Sequence, residues 1–223
     1  MKAKKNHAPR RYATAFRLGQ HIYYNAARLC GDACSLYAAE AFPSAYALGI
    51  LGYEELGKLQ MFDHVVTEAV LNEGTFRLDE EWMAHLFSRT MFYSHRNKQA
   101  WGTHQGTVNG TAPAVERLIE SNRLDFHKQD AIYVGFYGDR IQLPERFGAG
   151  HAFRQITYLL RGLERVADLA FIELFADSTR SSRRFSERTL AALRYQYLHL
   201  RRPKRRKKTS NPATQRTAGR SDA

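Results

Sequence analysis

Three stretches of this chain place acids, amides and cations at helical spacing, and they are its candidates for chemistry. At roughly 100° per residue, Asn25, Leu29, Asp32 and Leu36 fall on one narrow face, so an amide and a carboxylate interrupt a stripe expected to face the core. Further on, Leu48, Gly52, Glu55, Leu59 and Phe62 share a face, which turns Glu55 inward. Glu54 and Lys58, four apart on a flanking face, are spaced to pair locally. The third stretch holds His95 and Lys98, three apart, a titratable imidazole beside a cation. Arg89 precedes His95 by six residues, about 120° around a helix, with Phe92 between them. Such residues suit proton transfer next to positive charge. A buried carboxylate is costly unless paired and hydrogen-bonded. Asp32 and Glu55 therefore imply a polar network inside or at the edge of a bundle, serving either helix register or a functional cleft.

The elements that must position these residues are helical. Residues 12–42 carry Ile22, Ala26, Leu29, Ala33 and Leu36 at intervals of three and four, and Pro43 interrupts them. A second helix is expected from there to residue 71, closed by Asn72, Glu73 and Gly74. A third starts after Asp79 and carries Trp82, Leu86, Phe87, Met91 and Phe92 past His95 toward Trp101. Residues 102–113, rich in Gly, Thr and Asn, read as a loop. A fourth helix is expected over 114–127. Residues 131–143 suggest an irregular or briefly extended segment closed by Pro144. The fifth helix covers about 150–175, and a sixth, from about 186 to 200, packs on the body or projects from it. The expected architecture is all-α, an antiparallel helical bundle.

The chain has 223 residues, 43% apolar and 25% charged, enough for one domain with its own core. Its net charge of +12 is unevenly spread. Residues 1–11 carry five positive charges and residues 201–223 a net of eight, so residues 12–200 are balanced to within one charge. The divisions expected are a basic disordered segment 1–11, a bundle 12–178, an additional helix 179–200 and a basic disordered tail 201–223. Such tails suit a polyanion, RNA included, or serve solubility. Cys30 and Cys34 read as buried thiols rather than a bridge or a zinc site. No secretory leader opens the chain and no apolar run reaches the ~20 residues of a spanning helix, so a soluble, cytoplasmic protein without membrane partners is expected. No Glu-x-x-His pair, His-Glu-x-x-His, phosphate-binding loop or dinucleotide fingerprint occurs. Neither metal nor cofactor is expected.

Several of these runs resemble the AbiV family of phage abortive-infection proteins. They are Asn25-Ala26-Ala27-Arg28-Leu29-Cys30-Gly31-Asp32-Ala33, Pro43-Ser44-Ala45-Tyr46-Ala47-Leu48, Glu54-Glu55-Leu56-Gly57-Lys58 and Ser94-His95-Arg96-Asn97-Lys98. Ile132-Tyr133-Val134, followed by Pro144, completes a likeness that covers about residues 15–175. AbiV proteins are classed with the HEPN superfamily of helical domains, many of them metal-independent ribonucleases that act as dimers. The resemblance implies phage defence, RNA as substrate or ligand, a homodimer, and a phage protein as activator. The superfamily's Arg, four to six residues, then His is matched by Arg89 and His95 with five between, although Thr90 follows the arginine. Arg146 with His151, and Arg194 with His199, fit too. His95 alone lies within the AbiV-like Ser-His run, and His199 is its rival. In the implied mechanism His95 is general base or acid, Arg89 and Lys98 stabilise the charge at phosphorus, and Glu55 and Asp32 orient the imidazole. Asn25, Glu54 and Lys58 are the supporting polar network. The alternative is a HEPN-like module without catalysis that captures a phage or host translation component.

Overall fold

Small residues set the geometry of the first two helices. Ala26, Cys30 and Ala33 on α1 (Ala8–Ala38) and Ala45, Ala47 and Ile50 on α2 (Phe42–Glu73) are almost wholly buried, which lets the two helices run close together along their lengths. The turn between them is a Schellman motif: Glu40 N donates to Tyr37 O at 3.0 Å and Ala41 N to Leu36 O at 2.9 Å. Glu40 takes the left-handed position, at φ 61°, that usually falls to glycine. A turn this short makes α1 and α2 antiparallel.

The computed structural model describes residues 8–73, 94–104, 113–121, 123–137, 140–168 and 179–200. After α2 these include α3 (His95–His104), α4 (Pro113–Glu120), α5 (Arg123–Ile132), α6 (Ala149–Asp168) and α7 (Thr179–Leu198). A small hairpin, β1 (Gly135–Tyr137) and β2 (Arg140–Gln142), pairs antiparallel with Phe136 opposite Ile141, and a 3-10 turn at Pro144–Arg146 leads into α6. The fold is all-α, and the hairpin fills the segment expected to be irregular or briefly extended.

α2 is the hub. It packs against α1, α3, α5 and α6, while α1 also meets α6 and α7. Ile50, Leu56, Leu59 and Phe62 of α2 and Ile156, Leu159 and Leu163 of α6 are fully or almost fully buried, each stabilising the core by about 1.5–3 kcal/mol relative to exposure. Where α2 crosses α6 there is no space for side chains. A Cβ built on Gly49 would lie 2.8 Å from Gln155 Cγ, and one on Gly52 or Gly162 would fall within the side chain of Leu159 or Leu56.

Three expectations change. The helix expected to run unbroken from residue 79 past His95 is interrupted at Ser94, which is non-helical and caps α3 by accepting a bond from Asn97 N to its Oγ at 3.3 Å. The helix expected over 114–127 is two, α4 and α5. Ser121 ends α4 by donating its hydroxyl to the carbonyls of Arg117 and Leu118. α1 begins at Ala8, inside the segment expected as a basic terminus. The C-terminal helix packs on the body: Leu190 and Leu193 are buried, Arg194 Nε bonds Glu164 at 2.7 Å, and Tyr197 stacks on Phe153. Residues 1–7, the basic tail 201–223, the residues past 168 expected in the fifth helix, and Arg89 lie outside the described residues.

Candidate functional site

α2 is covered around most of its circumference over its middle turns: Tyr46, Ile50, Tyr53, Leu56, Leu59 and Met61 are all buried, while the strip carrying Leu51, Glu55 and Lys58 is partly open. Glu54 falls outside that strip and is enclosed, with 2% of its surface exposed. Its partners come from two other helices. From α5, Lys128 Nζ donates to Glu54 Oε1 at 2.9 Å. From α3, Gln99 Nε2 donates to the same oxygen at 2.8 Å, while His95 Nδ1 stands 2.7 Å from Oε2 and Lys98 Nζ 3.8 Å from it. The capping residue Ser94 starts α3 at the right place: residues 95, 98 and 99, at intervals of three and four, share the face turned to α2. Lys128 replaces an apolar residue in the buried stripe Leu124, Lys128 and Ala131 of α5, and is held from its other side by Asp125 Oδ1 at 2.8 Å.

The buried acid is thus matched by buried cations, as its desolvation requires. Burial pushes the Lys98 ammonium below the ordinary lysine range, outweighing the opposing pull of Glu54. His95 is differently placed. Its side chain keeps 45% of its surface exposed while its Nδ1 is anchored to a carboxylate. Lys128 Nζ is also 3.0 Å from Nδ1, but a charge-assisted N–H to Glu54 is the stronger bond. This arrangement assigns a proton to Nδ1, so that in the neutral ring the lone pair is on Nε2. An imidazole fixed in one tautomer by a buried acid, with its second nitrogen in reach of solvent, can take a proton from a bound hydroxyl.

Ligand atoms of Glu54, His95 and Asp125 lie within 4.8 Å of one another, close enough to hold a metal ion. The centre of that group is filled by the chain itself. Lys128 Nζ lies 2.8–3.0 Å from an atom of each of the three residues, so the donors fit a metal only if the lysine leaves.

His95, Lys98 and Glu54 are therefore brought together, and Gln99, Lys128 and Asp125 join them. Glu55, expected to point inward, is the neighbour of the buried acid and is only partly covered. It pairs with Lys58, three residues on, so Lys58 does not meet Glu54. Asn25 and Asp32 are not in the cluster. They flank Arg28 on the surface of α1, its Nη1 bonding Asp32 at 2.8 Å and its Nη2 bonding Asn25 at 2.9 Å. His199 is exposed beyond α7 and bonds the carbonyl of Tyr195, one turn back on its own helix, at 2.7 Å. Lys128 was detectable in the sequence by the criterion that found Asp32, a charge in an apolar stripe. Gln99 and Asp125 carry no such signal.

No curated protein and no solved structure matches the chain. A sequence model of one family does, that of AbiV within the HEPN domains, over residues 14–159. The matched span takes in α1 from residue 14, α2 to α5 and more than half of α6, and with them Glu54, His95, Lys98 and Lys128. On a match that covers well over half its length, the chain belongs to the HEPN-type AbiV family.

Proposed function

We propose that the chain is a phage-defence endoribonuclease of the metal-independent kind, with His95 as its general base. The observation that carries this reading is the 2.7 Å contact between His95 Nδ1 and a carboxylate that is itself enclosed, on a ring still open to solvent. In the proposed reaction Nε2 takes the proton of a 2′-hydroxyl, O2′ attacks the adjacent phosphorus, and the bond to the 5′-oxygen breaks. The products are a 2′,3′-cyclic phosphate and a 5′-hydroxyl. Lys98 and Lys128 place positive charge beneath the site, where negative charge grows at the phosphorus. Among the described residues the cluster holds one imidazole per copy, so the proton for the leaving oxygen is assigned to the same histidine of a second copy in a two-fold dimer. Arg89 remains a candidate for the phosphorane.

The test uses the full chain with end-labelled RNA in excess chelator. Cleavage that persists under chelation and leaves cyclic phosphate ends is expected, with His95→Ala lowering the rate by about 10²–10⁴-fold in protein that is still folded at the assay temperature. A folded His95→Ala protein that cuts as fast as the parent overturns the mechanism. The second reading is a module that captures RNA or a translation component without cutting. It is favoured by the way the Glu54 cluster ties α3 and α5 to α2, a structural service that needs no chemistry. RNA that is bound but left intact under every condition selects it.

A further inference from the structure

α5 presents a second set of polar groups on the face next to Lys128. Arg123, His127 and Asp130, at intervals of four and three, line an open cavity of about 630 Å³ together with Phe126, Gln142 and Arg146. That volume lies within the usual range of small-ligand sites, about 300–1,000 Å³. The cavity is held in shape. Arg146 bonds Asp130 through Nη2 and Gln142 through Nη1, and its guanidinium lies 4.7 Å above the centre of the Phe147 ring. Phe147 in turn stacks on Tyr46 at 4.8 Å and meets the His127 ring edge-on.

Two features have no structural service. Phe126 leaves 62% of its surface exposed at the cavity wall, where burial of the ring would be worth more to the fold than exposure. Arg123 makes no hydrogen bond or ion pair among the described residues. An open aromatic face, an exposed guanidinium and a fixed Asp130–Arg146 pair match the three parts of a nucleotide. The ring offers a stacking platform and Arg123 suits a phosphate. Asp130 accepts only, and Arg146 beside it donates. That order complements a base edge with two adjacent N–H donors next to a carbonyl oxygen, and guanine has that edge in N1–H, N2–H and O6.

We propose that this cavity binds a guanine nucleotide, its base stacked on Phe126 and read by Asp130 and Arg146, its phosphate on Arg123. The nucleotide is either free or one residue of an RNA strand. In the latter case the proposal rests on the ribonuclease reading and deepens it. Lys128 of the Glu54 cluster directly follows His127, so a strand held here would lie on the same helix that supplies that cluster.

Binding is measured on the full chain by calorimetry with 5′-GMP and 5′-AMP, and with the oligonucleotides UUGU and UUAU on the His95→Ala protein so that no strand is cut. Saturable binding with GMP above AMP is expected. Loss of one stacking contact, about 1–3 kcal/mol, weakens binding roughly 5- to 150-fold in Phe126→Ala. Arg123→Ala should lower affinity about tenfold, and Asp130→Asn should level GMP with AMP. Both Phe126 and Arg123 are exposed, so neither change threatens the fold. UUGU binding more tightly than GMP assigns the site to a strand, and equal affinity assigns it to the free nucleotide. Absence of saturable binding by any of the four ligands, or binding indifferent to Arg123→Ala and Phe126→Ala, overturns the proposal. Binding without cleavage by the parent removes the ribonuclease reading and leaves this site standing. Cleavage without binding does the reverse.

Discussion

Asp32 on α1 and Glu54 on α2 are both carboxylates within 3 Å of a cation, in motifs of similar composition, and the two clusters differ in kind. Asp32, Arg28 and Asn25 belong to one helix, and the Asp32 side chain keeps 49% of its surface in water. Glu54 draws its partners from two other helices and is enclosed. An exposed pair within one helix saves little free energy, because water serves each charge nearly as well. An enclosed acid has no such alternative, and every partner removed leaves a charge stranded. Position around the central helix, more than residue type, separates a surface contact from a site.

The sharpest way to break this comparison is to delete each acid in turn. Glu54→Ala leaves Lys98 without its buried acid and Lys128 with Asp125 alone, and is expected to cost about 3–5 kcal/mol, read from urea denaturation. Adding Lys128→Met should recover much of that loss, because a buried pair exchanged for packed apolar groups is often nearly neutral. A double variant no more stable than Glu54→Ala would mean that Glu54 acts through packing rather than charge.

A smaller effect comes from His127, half-buried between Tyr46 and Phe147. Burial, with help from Arg146, holds its pKa below the ordinary histidine value of about 6.5. Its contribution to stability is complete above that value. As pH falls below it, the unfolded chain takes up a proton that the folded chain refuses, so stability drops until the lowered folded value is passed. The Tm measured from pH 7.5 to 5 should show this decline, and His127→Gln should flatten it. The smallest effect is expected at the surface triad. Asp32→Ala should change stability by about 0.2–1 kcal/mol and leave RNA cleavage as it was. A cleavage defect there would bring α1 back into the site.

Much of the fold was legible because α1 and α6 each bury one side, which writes a clear period into the chain. α2 buries nearly all sides, and that erases the period where it was most needed. Glu54 and Glu55 are adjacent, and no pattern in a helix buried on most sides says which is the more enclosed. On α1 the line of burial runs through Ala26, Cys30 and Ala33, small residues that carry less weight in a hydropathy pattern than Leu29 and Leu36. Taking the leucines as the centre shifted the inferred face far enough to turn Asn25 and Asp32 inward. Ser94 hid its capping role inside an apolar run. His95 and Lys98 were found because they fall within one turn of one helix. Lys128 joins them only through tertiary packing.

The glycine seam between α2 and α6 has a further consequence. With no side chain at Gly49, Gly52 or Gly162 to act as a spacer, the two backbones bear directly on each other's large residues, and nothing can be added at the seam without moving one helix off the other. Glu54 stands two residues beyond Gly52. Even a single methyl group added to this joint would first be felt as a displaced carboxylate, and the imidazole it steers would lose its aim before the protein lost its shape.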